Sequence, residues 1–242
     1  MVRLSFFIGI IGNIISVLMF LSPVKTFWRI VQNKSTEEFE SLPYICTLLS
    51  SSLWTYYGIT KPGSYLVATV NGFGVIVEII YVSLFLIFAP PKKKEKTAIL
   101  AGILDAGFLV VAILVTHFVL SGETRIDAIG FMSSGLNIIM YGSPLTAMKT
   151  VVTTKSVEFM PFLLSFFLFL NGGIWTFYAV LVRDWFLGVP NGIGFILGTA
   201  QLVVYAIYRN AKPCNSMPAD LEEASQRQYL LPSSASAHTT DG

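Results

Sequence analysis

The alternation of apolar runs and short polar breaks divides the chain into seven predominantly hydrophobic stretches, at about residues 4–24, 43–60, 66–88, 98–120, 128–148, 160–181 and 186–208. Each is near the roughly 20 residues a helix needs to cross the hydrocarbon layer of a bilayer. The second holds several Ser and Thr residues and is the least apolar. The first is too long for a signal peptide and lacks its basic start and small-residue cleavage site. The pattern predicts an all-α membrane protein with seven transmembrane helices. Two polar interruptions stand out. Asn71-Gly72-Phe73-Gly74 follows Trp54 by seventeen residues, and Asn191-Gly192-Ile193-Gly194 follows Trp175 by sixteen.

That echo belongs to a longer internal repeat. Ser22-Pro23 recurs as Ser143-Pro144, Lys34-Ser35 as Lys155-Ser156, and Trp54-Thr55 with Tyr57 as Trp175-Thr176 with Tyr178, all at an offset of 121. The Asn-Gly-x-Gly motif recurs at 120, and Pro43 maps to Pro161 at 118. Spans one to three are therefore repeated as spans five to seven, with span four as a connector. One intervening crossing gives both repeats the same orientation. The expected organisation is a 3+1+3 arrangement of parallel triple-helix-bundle repeats: residues 1–90 form the first, 91–124 a basic loop and connector helix, 125–210 the second, and 211–242 a disordered cytosolic tail rich in Ser, Ala and Thr.

Composition agrees with a lipid-facing exterior. Of 242 residues 54% are hydrophobic and 12% charged, where a soluble domain carries about 25% charge. A net charge of +2 is too small and scattered for nucleic-acid binding. Cys46 and Cys214 fall in different environments, and His117 and His238 form no cluster, so neither a disulfide framework nor a metal site is expected. No nucleophile–base pair suggests an enzyme, and no cofactor is implied. Lys and Arg fix the orientation. Twelve lie on one side: Lys25, Arg29 and Lys34; Lys92, Lys93, Lys94 and Lys96; Lys149 and Lys155; Arg209, Lys212 and Arg227. Arg3, Lys61, Arg125 and Arg183 lie on the other. The amino terminus is expected to be lumenal or extracellular and the carboxyl terminus cytosolic.

The polar and aromatic groups inside the spans suggest a two-fold site for a neutral hydroxylated ligand. Trp54 lies eleven residues into its span, or roughly 16 Å at 1.5 Å per residue, near mid-membrane. An indole face suits the C–H face of a sugar ring; the plain alternative is an interfacial belt Trp. Asn71 and Asn191 offer donor and acceptor without charge, the alternative being an interhelical clasp. Ser50 precedes Trp54 and Asn171 precedes Trp175 by one turn, on the same helix face. That pair differs between the halves, so the pocket is read as pseudo-symmetric. Pro23, Pro43, Pro144 and Pro161 lie at one depth and suggest a ring of hinges at a cytosolic gate; helix capping is the alternative for Pro43 and Pro161. Glu78, two turns after Asn71, has Gly198 as its repeat mate. It is read as structurally paired, which favours facilitated diffusion over proton coupling. Asp105 and His117 receive no chemistry.

In combination these residues resemble the plant SWEET sugar transporters, within the PQ-loop superfamily. The resemblance rests on the four prolines, the Trp and Asn pairs, Ser-Leu-Trp-Thr-Tyr-Tyr-Gly at 52–58 and Tyr-Gly-Ser-Pro-Leu at 141–145, and it covers about residues 6–212. Parallel repeats are that family's known architecture. Ser-Thr-Glu-Glu-Phe near Ser35 and Thr-Lys-Ser-Val-Glu-Phe-Met-Pro near Thr154 resemble most its vacuolar branch, whose members move hexoses including fructose. The resemblance implies a bidirectional sugar uniporter working by alternating access on a mono- or disaccharide, in the vacuolar membrane, with the plasma membrane and homo-oligomerisation as open alternatives. It further implies that Ser50, Asn171, Ser16, Met19 and Met140 line the pocket, and that Tyr57, Gly58, Tyr178 and Asp184 form the outer gate. An exposed loop charge is the alternative for Asp184. The competing functions are a PQ-loop-type carrier of another small solute such as an amino acid, which would be expected to carry coupling acids near its site, and a seven-helix receptor, whose retinal form would need a lysine in the last span.

Overall fold

A computed structural model of the chain describes residues 2–211. The expectations for the tail, including Lys212, Cys214, Arg227 and His238, lie outside the described residues. All regular structure among the described residues is helical: α1 (Val2–Leu21), α2 (Val24–Asn33), α3 (Leu42–Thr60), α4 (Tyr65–Phe88), α5 (Pro91–Ala101), α6 (Leu109–Phe118), α7 (Gly122–Met140), α8 (Gly142–Thr154), α9 (Phe162–Val182) and α10 (Trp185–Tyr208). A π-helical stretch, Gly102–Phe108, joins α5 to α6, and a 3-10 turn at Val157–Phe159 precedes α9.

The breaks follow from local chemistry. Pro23 has no N–H to continue the α1 ladder. The chain turns there, with Ser22 N–H and Oγ–H both donating to Met19 O at 3.1 and 2.7 Å. The corresponding break at Tyr141 lies three residues before Pro144. Helices α2 and α8 then end alike, on the left-handed residues Lys34 (φ 49°) and Lys155 (φ 54°), which are repeat mates. Residues 25–33 and 149–154 were expected to lie at or beyond the ends of their spans and are helical instead. The basic segment expected as a loop is the first turns of α5. Pro91 suits a helix start, and Lys93 Nζ anchors it by donating to Glu37 O at 2.9 Å. Glu37 accepts at Oε1 from Asn33 Nδ2 at 2.8 Å and Arg29 Nε at 3.0 Å. The Asn33 amide, and after it Arg29, hold the Glu37 carboxyl below its ordinary range. At the other end Arg125 donates to the carbonyls of Thr116, His117 and Leu120, closing the end of α6 and tying it to α7.

Among the described residues five helical segments are long and apolar enough to cross a membrane: Arg3–Asn33, Tyr65–Phe88, Pro91–Phe118, Phe162–Val182 and Trp185–Tyr208. The polar residues of α3 and α7 keep those two helices outside that set, as the Ser and Thr content of the second stretch foreshadows.

The packing repeats as the sequence does. Helix α4 sits between α1 and α3, and α10 between α7 and α9; α1 meets α9, and α3 meets α7. Exchanging α1, α3 and α4 for α7, α9 and α10 leaves that pattern unchanged, so six helices close into a ring. The connector from α5 to α6 lies outside it, against α3, α4 and α7. Glycine permits the closest crossings. A Cβ on Gly58 would come within 2.6 Å of Ala68 N, and one on Gly198 within 2.6 Å of Phe169 N. Trp54, Tyr57, Val67, Val70, Ile129, Trp175, Tyr178 and Leu187 form a buried cluster that joins both halves. Apolar side chains such as Ile76, Ile87, Phe131, Ile196 and Ile207 are exposed on the outside, the arrangement lipid requires.

Candidate functional site

Inside the ring lies a cavity of about 330 Å³, at the lower end of the range for small-molecule sites. Its walls include Trp54 and Ser50 from α3, Asn71 from α4, Asn171 and Trp175 from α9, Asn191 from α10, and Ser16 and Met19 from α1. Met140 is the last residue of α7 and is not part of the lining. Pro23 and Pro43 reach the cavity, whereas Pro144 and Pro161 do not. Pro43 is the second residue of α3, while Pro161 caps α9, so the two prolines do not occupy matching helical positions.

The two asparagines are set identically. Asn71 Nδ2 donates to Val67 O at 2.9 Å and Asn191 Nδ2 to Leu187 O at 2.8 Å. Each bond reaches back one turn and fixes the amide plane, leaving Oδ1 and one N–H for a ligand. The tryptophans match equally well: each stands edge-on to the tyrosine three residues later, with ring centroids 5.3 Å apart for Trp54–Tyr57 and 5.3 Å for Trp175–Tyr178.

Between the halves the polar residues form two clasps. Ser16 Oγ donates to Asn171 Oδ1 at 2.7 Å across α1 and α9. Ser50 Oγ donates to Asn137 Oδ1 at 2.8 Å across α3 and α7. Asn137 is 121 residues after Ser16, and Asn171 is 121 after Ser50. Ser and Asn have therefore exchanged places, and each interface keeps one of each. The difference between Ser50 and Asn171, read alone, looks like broken symmetry; across the interfaces it is the same hydrogen bond with donor and acceptor reversed between helices. Sequence reading missed Asn137, although the repeat offset applied to Ser16 points to it. A real asymmetry remains at the indoles. Trp175 Nε1 donates to Ser16 Oγ at 2.9 Å, and among the described residues Trp54 Nε1 makes no such bond.

A swap tests the clasp. Asn137→Ala leaves Ser50 unpaired and is expected to cost about 1 kcal/mol, or roughly 2–4 °C of melting temperature for a domain of this size. Ser50→Asn combined with Asn137→Ser recreates the α1–α9 pair between α3 and α7 and is expected to restore the wild-type melting temperature in detergent. A double variant as unstable as Asn137→Ala would refute the equivalence.

Beyond the tryptophans lies a buried polar cluster. Tyr57 Oη donates to both carboxylate oxygens of Asp184 at 2.9 and 3.0 Å, linking α3 to the start of α10. Asp184 also caps α10, accepting from Leu187 N at 3.2 Å. Lys61, one turn after Tyr57, completes the cluster. Its Nζ lies 2.8 Å from Asp184 Oδ2 and donates to Tyr57 Oη at 2.9 Å. The sequence reading used Lys61 only for topology, although its i+4 spacing from Tyr57 was the available signal. Gly58 serves the α3–α4 crossing, and Tyr178 packs in the shared aromatic cluster. Glu78 lines the cavity but is not structurally paired as expected. It makes no ion pair among the described residues, and its Oε2 has no hydrogen-bond partner. Among the described residues no group of three His, Cys, Asp or Glu side chains could hold a metal.

Known proteins match most of this chain. The family described as "Sugar efflux transporter for intercellular exchange" matches twice, over residues 6–93 and 127–213. The two matches begin at residues 6 and 127, the offset of 121 seen in the internal repeat. The chain is 65% identical over 214 residues to the bidirectional sugar transporter SWEET17 of Arabidopsis thaliana, covering 88% of this chain and 89% of that one. It is 62% identical over 214 residues to the bidirectional sugar transporter SWEET16 of the same plant, covering 88% and 93%. A solved structure of a eukaryotic SWEET transporter superposes with a TM-score of 0.80 at 40% identity, covering 85% of this chain and 96% of that chain.

Proposed function

This chain belongs to the family of sugar efflux transporters for intercellular exchange, and from that premise we propose that it carries sugar passively and in both directions across a membrane. It is a membrane transporter and not an enzyme. The observation that carries the proposal is the cavity at the two-fold interface, where Trp54 and Asn71 from one half face Trp175 and Asn191 from the other. Two flat indoles and two uncharged amides suit a ring with apolar C–H faces and peripheral hydroxyls. Nothing in that set would trap a neutral ligand by charge. The substrate we propose is a hexose, glucose or fructose, and the membrane is vacuolar. The similarity to SWEET17 and SWEET16 supports the branch.

In the proposed mechanism residues 1–90 and 125–210 are two parallel triple-helix units, with 91–124 as connector, in a seven-span 3+1+3 arrangement. The amino terminus faces the lumen and the carboxyl terminus, within 211–242, the cytosol. The units rock about the bound sugar. Tyr57, Asp184 and Lys61 close one side, and the proline-marked ends of α1, α3, α7 and α9 bend to close the other. A proline cannot continue the helical hydrogen-bond ladder, and a helix bends more easily there, which suits Pro23 and Pro144 to hinges. Rocking exposes the cavity to one side at a time, so flux follows the sugar gradient.

Tracer uptake into liposomes with a panel of sugars tests this reading. Saturable uptake of hexoses, accelerated by sugar on the far side, is expected, and an imposed pH gradient should leave it unchanged. Uptake that requires the pH gradient would overturn passive transport, and a preference for amino acids over every sugar would overturn the substrate class.

A further inference from the structure

We infer that the cavity has a second hydroxyl-binding station, built by Tyr44 and Glu78, about two to three helical turns from the Trp and Asn residues toward Pro23 and Pro43. The inference rests on the sugar-carrier reading above and extends it to the path the ligand takes.

Among the described residues, two buried polar atoms of the cavity wall have no hydrogen-bond partner. Tyr44 Oη and Glu78 Oε2 are both buried without a hydrogen bond. Their residues are 4% and 3% exposed, and both line the cavity. Native interiors seldom leave such atoms unmet, and an unmet one indicates an occupant or a function. The surrounding groups do not supply the missing partners. Tyr81 spends its hydroxyl on Phe20 O at 3.0 Å. Asp105, within electrostatic reach of Glu78, has both carboxylate oxygens buried and unpartnered itself and does not line the cavity. Glu78 makes no ion pair among the described residues, and too few oxygen ligands converge there for a metal ion.

The sequence connects this spot to the main site. Tyr44, Thr47, Ser51 and Trp54 all line the cavity at successive spacings of three, four and three residues, one continuous stripe on α3. Asn71 and Glu78 lie two turns apart on one face of α4. At 1.5 Å per residue the station is roughly 10–15 Å from the Trp and Asn groups, more than the width of one sugar ring. The second half lacks the acid: the repeat mate of Glu78 is Gly198, where the backbone of Phe169 approaches closely. The polar track is therefore one-sided. A hydroxylated ring leaving the tryptophans would find its next partners on α3 and α4, donating a hydroxyl to Glu78 and exchanging one with Tyr44.

The test uses the full chain in liposomes, with glucose as the probe, and Tyr44→Phe, Glu78→Gln and Glu78→Leu as variants. Equilibrium binding is read from the tryptophan fluorescence of the main site, and KM from tracer exchange. Tyr44→Phe and Glu78→Leu are expected to raise KM about fivefold, the effect of one hydrogen bond, while the binding constant at the tryptophans stays within about twofold. Glu78→Gln, which keeps an acceptor oxygen, should be clearly less impaired than Glu78→Leu. Wild-type KM in both Tyr44→Phe and Glu78→Leu would show that water alone occupies the station and overturn the inference while sugar carriage stands. A Glu78→Gln variant as impaired as Glu78→Leu would overturn it in favour of a charge role. A wild-type protein that moves no glucose or fructose would overturn both readings. Tyr44→Phe removes a single oxygen and keeps the test available should Glu78→Leu fail to fold.

Discussion

Alanine at Trp54 or at Asn191 is expected to abolish sugar flux while leaving the protein folded in the membrane. Trp54 lines the cavity, and its indole N–H has no partner among the described residues. Truncation removes one wall of the ring-binding site. An aromatic side chain buries on the order of 150–250 Å² in such a contact. If a third of that is ligand-facing, at about 25 cal/mol per Å² the loss is roughly 1–2 kcal/mol, to which the lost N–H donor adds about 1 kcal/mol. Together that is on the order of a hundredfold in the occupancy of the transported state. Asn191 uses one N–H to brace itself on Leu187 O, so alanine removes both the ligand contacts and the group that orients them. Trp54 also packs in the buried cluster that joins the halves, so its truncation lowers the melting temperature as well, by the equivalent of about 3–5 kcal/mol at most, whereas Asn191 borders the cavity outside that cluster. Tracer uptake into liposomes, paired with a melting curve, checks the prediction. Normal hexose flux in either purified variant would sink the assignment of the pocket.

Asp184→Asn is expected to shift the protein toward a state open at the Tyr57 end and to slow net transport. Asparagine still caps α10, so the start of that helix should survive. The lost charge leaves Lys61 without its counter-ion and Tyr57 with a weaker acceptor. Breaking a buried ion pair costs about 3–5 kcal/mol. Lys61 is a quarter exposed, so solvent screening brings the expected effect nearer 2 kcal/mol, roughly a thirtyfold change in the closed-to-open ratio. A cysteine at Val67, which lines the cavity beside this cluster, reports the change through its rate of modification by a membrane-impermeant thiol reagent, with Cys46 and Cys214 replaced by serine. Lys61→Met should produce the same acceleration. An unchanged rate in both variants would show that the cluster braces the α3–α10 contact without gating it.

The order of elements was legible because membrane helices are written in long apolar runs and because the chain repeats itself. Where it was misread, short-range chemistry decided. Residues 24–33 are polar enough to look like a loop, yet the residues after Pro23 form a helix that ends on Lys34. The lysines near Pro91 look like a connector, yet lysine is a sound helix former, and Lys93 ties that turn to the Glu37 backbone. The site was legible where the two copies agree, at the Trp and Asn pairs. It was obscured where they trade residues. Ser50 and Asn171 look unequal until Asn137 and Ser16 are set beside them, and no contact between residues 87 or 155 positions apart is visible in a local pattern. Met140 was chosen in place of Asn137, one turn away. Lys61 was counted only as a charge.

By itself, the sequence determined the helical class, the lipid-facing exterior, the internal repeat and the residue types available to a neutral ligand. These depend on local propensity, on transfer of apolar surface and on periodicity, all of which act through near neighbours in the chain. The tertiary structure alone decided which polar groups satisfy one another and which remain for a ligand. It spends Trp175 on Ser16 and spares Trp54. It pairs Ser with Asn in opposite senses at the two interfaces, and joins Tyr57, Lys61 and Asp184 in one hydrogen-bonded cluster. It leaves Tyr44 and Glu78 facing the cavity unmet. Hydrogen bonds are short and directional, so their assignment waits until helices distant in sequence have packed to within a few ångströms.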